Sequence, residues 1–531
     1  MNLNLYGYAG KWLMVDLGVT FGDDRVPGID VVMPDPGFIV ERRRDLVGLV
    51  LTHAHEDHLG AVPHLWSRLR CRVYATPFTA TVLQRKLREV GLEQEVPLTI
   101  LPMSSRASIG PFEIELVTLT HSIPEPNAVA IRTPVGTVVH TGDWKLDPTP
   151  LIGPTADEQR LAEIGRDGVL AVIGDSTNVF KEGESGSEAD VRASLADLMA
   201  GLENRVAVAC FASNIARLET IATVAAAHDR STALVGRSLR NMVDAARANG
   251  YLTNCPPFLS EEDAGYLPRD KVCLICTGSQ GEPRAALARI AFDNHPHIVL
   301  EEGDSVIFSS RIIPGNEKAI GRLHDQLARQ GIEVLTERDH FVHVSGHPAR
   351  DELARLYAHL KPRIVVPVHG EHRHLVEHAR FALGCQVPHA PVVENGQVLR
   401  LGPGDPVVID RVTSGRLAVD GNRLIPMDGP QMKARQRVAN QGVAVCTLVL
   451  DRKGRVVADP AVSLPGLVDT ESTAEAEVLS HAVRAALEAL PSDARRQDDA
   501  AVAEAGRVAF RRAVKSVLGL KPHLEVLVVR V

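Results

Sequence analysis

The chain has 531 residues, 45% of them hydrophobic and 23% charged, an ordinary balance for a soluble globular protein that is too long for one core and long enough for roughly three domains. Its formal net charge of −8, from 58 basic and 66 acidic residues, argues against a protein that coats nucleic acid through bulk positive charge, though not against an enzyme with a local basic groove. Seven scattered cysteines fit a reducing, cytoplasmic setting better than a disulfide framework, and no signal-like start or stretch of ~20 apolar residues predicts export or membrane passage.

In chain order, the first strand-like segment, Met14-Val15-Asp16-Leu17-Gly18, ends on Asp16, an acid placed to orient metal ligands from behind. The apolar run 46–51 reads as a buried strand. Directly after it comes Thr52-His53-Ala54-His55-Glu56-Asp57-His58-Leu59-Gly60. Imidazole and carboxylate donors suit zinc and similar divalent ions. Four of them in six positions exceed what one open site needs from one segment. The pattern therefore points to two ions, with His53 and His55 on one and Asp57 and His58 on the other. Three further donors end strand-like runs: His121 after 116–120, Asp143 after Val138-Val139-His140-Thr141-Gly142, and His369 after 364–368. Asp143 can bridge two cations, whereas His140, inside its strand, reads as packing. Strand-end donors of this kind are expected to converge on one edge of a sheet.

Between Asp143 and His369 lie more than two hundred residues, room for an inserted domain. Strand-like and helix-like segments alternate there, as in 206–210 followed by 215–227, which predicts a small parallel α/β unit. Cys273 and Cys276 form a Cys-x-x-Cys inside an apolar run with no second pair, and read as core. Ile173-Gly174-Asp175-Ser176-Thr177 ends a strand on an acid. His343, Ser345 and His347 alternate, so their side chains are expected to face one way and to grip phosphates. His372, His374 and His378 open a helix and read as surface or cleft-rim residues. From 439 onward the order strand (443–450), helix (473–489), helix (500–518), strand (525–531) describes a small α/β unit without candidate ligands, reached through a basic linker at 432–438.

His-x-His-x-Asp-His followed by a lone His, a Thr-Gly-Asp and a late His resembles the metallo-β-lactamase superfamily. Asp175, His347 and His369 resemble the A, B and C motifs of its β-CASP nuclease branch. Gly18-Val19-Thr20-Phe21-Gly22 with Pro27-Gly28-Ile29-Asp30, Phe211-Ala212-Ser213-Asn214, Gly278-Ser279-Gln280-Gly281-Glu282-Pro283, Ile313-Pro314-Gly315-Asn316-Glu317 and Val368-His369-Gly370-Glu371 narrow the resemblance, over nearly the whole chain, to the bacterial ribonuclease J family.

The resemblance implies an αββα sandwich (1–189 and 346–431) with an inserted β-CASP domain (190–345) and a C-terminal oligomerisation domain (439–531). It implies one ion on His53, His55, His121 and Asp143 and a second on Asp57, His58, Asp143 and His369, zinc first, with manganese as the alternative. Asp57, Asp175 and His347 are then catalytic, His347 as proton donor to the departing 3′ oxygen and Asp175 as the group fixing its tautomer. A pocket for the RNA 5′-phosphate is also implied, its local candidates being Ser213, Asn214, Arg237, Ser238 and Ser279 beside His343, Ser345 and His347.

The expected activity is 5′-to-3′ exonuclease and endonuclease action on single-stranded RNA in rRNA processing and mRNA decay. The expected assembly is a homodimer or homotetramer, with partners in an RNA-degradation complex. The competing readings are a DNA-acting β-CASP nuclease, a small-molecule hydrolase such as a lactonase, and an inactive RNA-binding subunit. One departure stands out. The family begins with a strand and a Gly-rich turn running into an Asn-x-x-x-Tyr segment, but this chain starts at Met1-Asn2, inside that segment, so an open sheet edge is expected near Asp16.

Overall fold

The computed structural model describes residues 1–22, 26–469 and 474–531. The chain folds into two compact units, one of residues 1–19 and 36–414 and another of 20–35 and 415–531.

In the first unit, a five-stranded sheet runs Asn4–Tyr8, Lys11–Val15, Leu46–Val50, Val73–Ala75, Leu98–Ile100. The first pair is antiparallel and the remainder parallel. A six-stranded sheet runs Ile364–Val368, Ala171–Asp175, Gly136–His140, Asn127–Thr133, Phe112–Thr118, Arg106–Ile109. Strand alternation explains how they stack. Leu13, Val15 and Val50 of the first sheet share a core with Ile114, Leu116, Val129 and Ile131 of the second. The opposite-facing Val117, Ala130, Val139, Val172 and Val365 pack on helices Glu158–Asp167, Arg350–Leu360 and His372–Gly384. Helix Pro77–Glu89 packs against strands Val73–Ala75 and Leu98–Ile100 of the first sheet, so helix, sheet, sheet and helix are layered as the resemblance implied. Strand Asn4–Tyr8 is the last in its sheet, with Lys11–Val15 as its single described neighbour.

The inserted segment forms a parallel sheet in the order Phe258–Leu259, Ser231–Val235, Val272–Cys276, Val206–Ala209, Ser305–Phe308, Glu333–Leu335. Cys273 and Cys276 are fully buried in its central region. Burial pushes both thiols up, to about 12 at Cys273, which suits inert core residues.

In the second unit, Thr20–Phe21 and Val31–Pro34 pair with Arg416–Asp420 and Arg423–Pro426. A three-stranded sheet of Ala461–Ser463, Val443–Leu450 and His523–Arg530 packs on helices Ala474–Glu488 and Asp499–Leu518. Thr473, the expected start of the first helix, lies outside the described residues. Residues 432–438, read as a linker, belong to helix Pro430–Gln441. Proline in the first turn starts it, and Met432 is buried among Val26, Val32 and Ile425, a packing partner too distant in sequence for local composition to reveal.

Glu115 illustrates a structural cation cluster remote from the motifs. It accepts from Arg160 Nε at 2.7 Å and Arg132 Nη2 at 2.6 Å. Burial would raise its carboxyl, but hydrogen bonds from Arg160 and Arg132 hold it down to about 2. A carboxylate depressed in the folded state stabilises fully above its unfolded value of ~4.3, and loses that stabilisation as pH falls towards the folded value. The Glu115→Gln variant is expected to melt earlier at pH 7 and to show a flatter loss of melting temperature between pH 5 and 2 than the parent. Parallel melting curves across that window would contradict this.

Candidate metal centre

The strand Leu46–Val50 delivers His53 and His55 from its C-terminal loop, and the one-turn helix Glu56–Leu59 carries Asp57 and His58. His121 follows strand Phe112–Thr118, Asp143 follows Gly136–His140, Asp175 closes Ala171–Asp175, and His369 follows Ile364–Val368. The strand ends of both sheets therefore supply all the expected donors. Three groups have one ligand atom per residue mutually within 4.8 Å: His53, His55, His121 and Asp143; Asp57, His58, Asp143 and His369; and Asp143, Asp175, His347 and His369. Asp143 belongs to all three.

Each imidazole has one nitrogen occupied from behind, which fixes the nitrogen it turns inward. His58 Nδ1 donates to Asp16 Oδ2 at 2.7 Å, leaving Nε2 3.2 Å from Asp143 Oδ2. His369 Nδ1 donates to Asn2 Oδ1 at 3.0 Å, leaving Nε2 3.4 Å from Asp143. His121 Nδ1 donates to the Gly346 carbonyl at 2.5 Å. A Cβ on Gly346 would sit 2.6 Å from that same nitrogen, so the close approach requires glycine. Thr52 Oγ1 donates to Asp16 Oδ2 at 2.9 Å and so accepts from His53 Nδ1 at 3.0 Å. His55 meets Ser213 Oγ through Nε2 at 3.1 Å and turns Nδ1 inward.

The inward nitrogens then crowd together, His55 Nδ1 lying 3.0 Å from His53 Nε2 and 3.1 Å from His121 Nε2. Burial pushes His53 and His121 well down and His55 to about 4. Neutral rings in this orientation oppose lone pairs with no proton between them, an arrangement that a cation relieves. Asp143 Oδ1 is buried and without a hydrogen-bond partner, a second orphan that fits a cation. The donor set, nitrogen and carboxylate oxygen, is that of zinc or a similar ion.

Two backbone positions carry strain here. Asp16 and His369 adopt φ of +63° and +54°, conformations costly for residues with a Cβ and tolerated where the surroundings impose them.

Beside the cluster, His347 Nδ1 donates to Asp175 Oδ2 at 2.7 Å. Burial would lower the imidazole, but Asp175 and Asp143 raise it to about 9. Ser345 Oγ accepts from Asn178 Nδ2 at 2.7 Å and from the His347 amide at 3.2 Å. Residues 341–345 belong to no strand, although Val342 and Val344 are buried and His343, Ser345 and His347 are half-buried. The expected alternation survives in burial without a sheet ladder to enforce it. His343 keeps Nδ1 buried and unpaired.

Of the other phosphate candidates, the structure brings Ser213 to the cluster. Asn214 is instead buried as a helix cap, accepting from the Arg217 amide and donating to Glu188 Oε1 at 3.1 Å. Arg237 is exposed on the first turn of helix Arg237–Ala248, and Ser279 is buried in the loop after Val272–Cys276. Neither is within hydrogen-bond distance of the cluster. His378, read as rim, is fully buried and bonds Ser176 Oγ at 2.8 Å and the Tyr357 hydroxyl; its place on the inner side of an amphipathic helix decides this. His140 is buried on the Tyr6 hydroxyl at 2.7 Å, as packing predicts. Asn2, Thr52 and Asn178 were missed as positioning residues. Thr52 opens the His-rich motif, Asn2 stands in the Asn-x-x-x-Tyr segment, and Asn178 directly follows Asp175-Ser176-Thr177.

A layered sandwich carrying His and Asp donors on adjoining strand ends defines a metallo-β-lactamase-type hydrolase. Comparison with known proteins agrees. Residues 2–192 match the metallo-beta-lactamase superfamily, 203–327 the ribonuclease J beta-CASP domain, 331–383 the Zn-dependent metallo-hydrolase RNA specificity domain and 431–531 the ribonuclease J C-terminal domain. The chain is 45% identical to ribonuclease J of Sinorhizobium meliloti, over 100% of this chain and 95% of that protein. It is 39% identical to ribonuclease J of Mycolicibacterium smegmatis, over 93% and 88%. A crystal structure of a protein of unknown function from Enterococcus faecalis shares the fold at TM-score 0.50 and 16% identity, covering 77% of this chain and 96% of that one. The chain belongs to the ribonuclease J family and is a metal-dependent ribonuclease. No helix among the described residues is long and apolar enough to cross a membrane.

Proposed function

We propose that this ribonuclease removes nucleotides 5′ to 3′ from 5′-monophosphorylated single-stranded RNA and also cuts internally, in rRNA processing and mRNA decay in the cytoplasm. His53, His55, His121 and Asp143 would hold one divalent ion and Asp57, His58, Asp143 and His369 a second, zinc first and manganese as the alternative. When bound, such a pair supplies an activated water at neutral pH and neutralises the non-bridging phosphate oxygens. The His347–Asp175 pair beside this cluster carries the reading. Asp175 accepts the Nδ1 proton and so fixes the tautomer that turns the other nitrogen, Nε2, towards substrate, where it donates a proton to the departing 3′ oxygen. The negative charge of Asp175 at 2.7 Å favours the protonated form of His347. Ser213 and Ser345 are the hydroxyls best placed to grip phosphate beside it.

In this reading, residues 1–189 and 346–431 form the hydrolase domain, 190–345 the second wall of the RNA cleft, and 439–531 the module that assembles a homodimer or homotetramer and meets degradation-complex partners. RNA carrying a 5′-monophosphate, a 5′-triphosphate or a 5′-hydroxyl tests it. Mononucleotides should appear from the first alone and vanish with chelator. Equal release from all three would remove the 5′-phosphate pocket.

A further inference from the structure

Phe180 lies five residues beyond Asp175 and leaves 52% of its surface exposed. Its position is imposed by the backbone on either side. The Arg350 side chain donates through Nε to the Val179 carbonyl at 2.8 Å, and the Arg350 amide donates to the Lys181 carbonyl at 3.0 Å. Arg350 is itself paired with Glu377 at 2.6 Å. The exposed ring is therefore held out by a clamped turn.

Its neighbours connect it to the metal centre. The Arg373 guanidinium stands 6.0 Å from the ring centroid and the His374 ring meets it edge-on at 5.2 Å. A Cβ added to Gly370 would lie 2.8 Å from His374 Cβ and 3.2 Å from Ser176 Cβ, so His374 and Ser176 close over the residue next to His369. Asn178, two positions before Phe180, holds both Ser345 and the His347 carbonyl. Phe180 is thus linked through His374 to the turn after His369, and through the backbone to Asn178, which holds Ser345 and His347.

Resting on the ribonuclease reading above, we infer that Phe180 is a stacking platform for one unpaired RNA base at the mouth of the active site, with Arg373 beside it to meet the adjoining backbone phosphate. Every base has a π-face, so an aromatic platform holds RNA without reading its sequence. A platform fixed before binding spares the ordering cost that a mobile ring would incur. Arg373 is otherwise paired with Glu371 at 3.2 Å on the open surface, a screened contact readily exchanged for phosphate.

The test uses the full-length protein and a series of 5′-monophosphorylated oligoribonucleotides, each with a single base-free ribose at a different position. F180A should raise KM for intact RNA about 5- to 100-fold, with a smaller change in kcat and an unchanged melting temperature. At one position the base-free ribose should impair the parent protein and leave F180A no worse. F180Y should remain within about twofold of the parent, and F180L should resemble F180A. An unaltered KM in F180A, an equal penalty on every oligonucleotide, or full rescue by F180L would overturn the inference. Failure of the parent protein to cleave any RNA would instead refute the ribonuclease reading, and this inference with it.

Discussion

Replacing Asp143 by alanine is expected to strip the centre of metal and abolish RNA cleavage. Asp143 is the one side chain common to all three donor groups. Its Oδ2 lies 3.2 Å from His58 and 3.4 Å from His369, while Oδ1 is buried without a protein partner. Loss of this carboxylate removes a ligand from both proposed ions. It also leaves the crowded nitrogens of His53, His55 and His121 without a compensating negative charge. Bound metal contributes several kcal/mol of charge stabilisation to a phosphodiester transition state, so the rate should fall about a thousand-fold or more. Metal content by mass spectrometry, read beside melting temperature to establish folding, checks this. Asp143→Asn provides a second variant of nearly the same shape. Retention of two ions per chain in either variant would contradict the ligand assignment.

His347→Ala should behave in the opposite way. His347 meets Asp175 at 2.7 Å and lies 3.8 Å from Asp143, so it borders the cluster without belonging to either proposed ligand set. The variant should keep its metal and bind RNA, yet lose about 10²- to 10⁴-fold in kcat, the usual contribution of a positioned general acid. A substrate whose leaving group needs no proton separates this role from a structural one. With a p-nitrophenyl phosphodiester the deficit should shrink substantially. A loss of metal equal to that in Asp143→Ala would place His347 among the ligands instead.

The donors were legible because strand ends announce themselves. A β-branched run followed by His or Asp and a turn residue marks each of residues 53, 121, 143 and 369, and all meet in the structure. The inserted parallel sheet was legible from the alternation of strand-like and helix-like segments. What escaped depended on contacts between distant segments. Asn2 reaches His369 across 367 positions of sequence, and nothing in its neighbourhood announces a ligand-orienting role. The buried seat of His378 likewise depends on Ser176, 202 positions away, whereas the cap at Asn214 is local, on the Arg217 amide. The helix Pro430–Gln441 resembled a linker because its outer residues are polar and basic and Met432 alone is buried.

In the proposed centre, seven side chains from four strand ends would cage two cations around Asp143. Anomalous diffraction from crystals soaked in zinc, recorded on both sides of the zinc absorption edge, tests this most directly. Two peaks are predicted, one among His53, His55, His121 and Asp143 and one among Asp57, His58, Asp143 and His369. A single peak away from Asp143, or none at full zinc loading, would contradict the account.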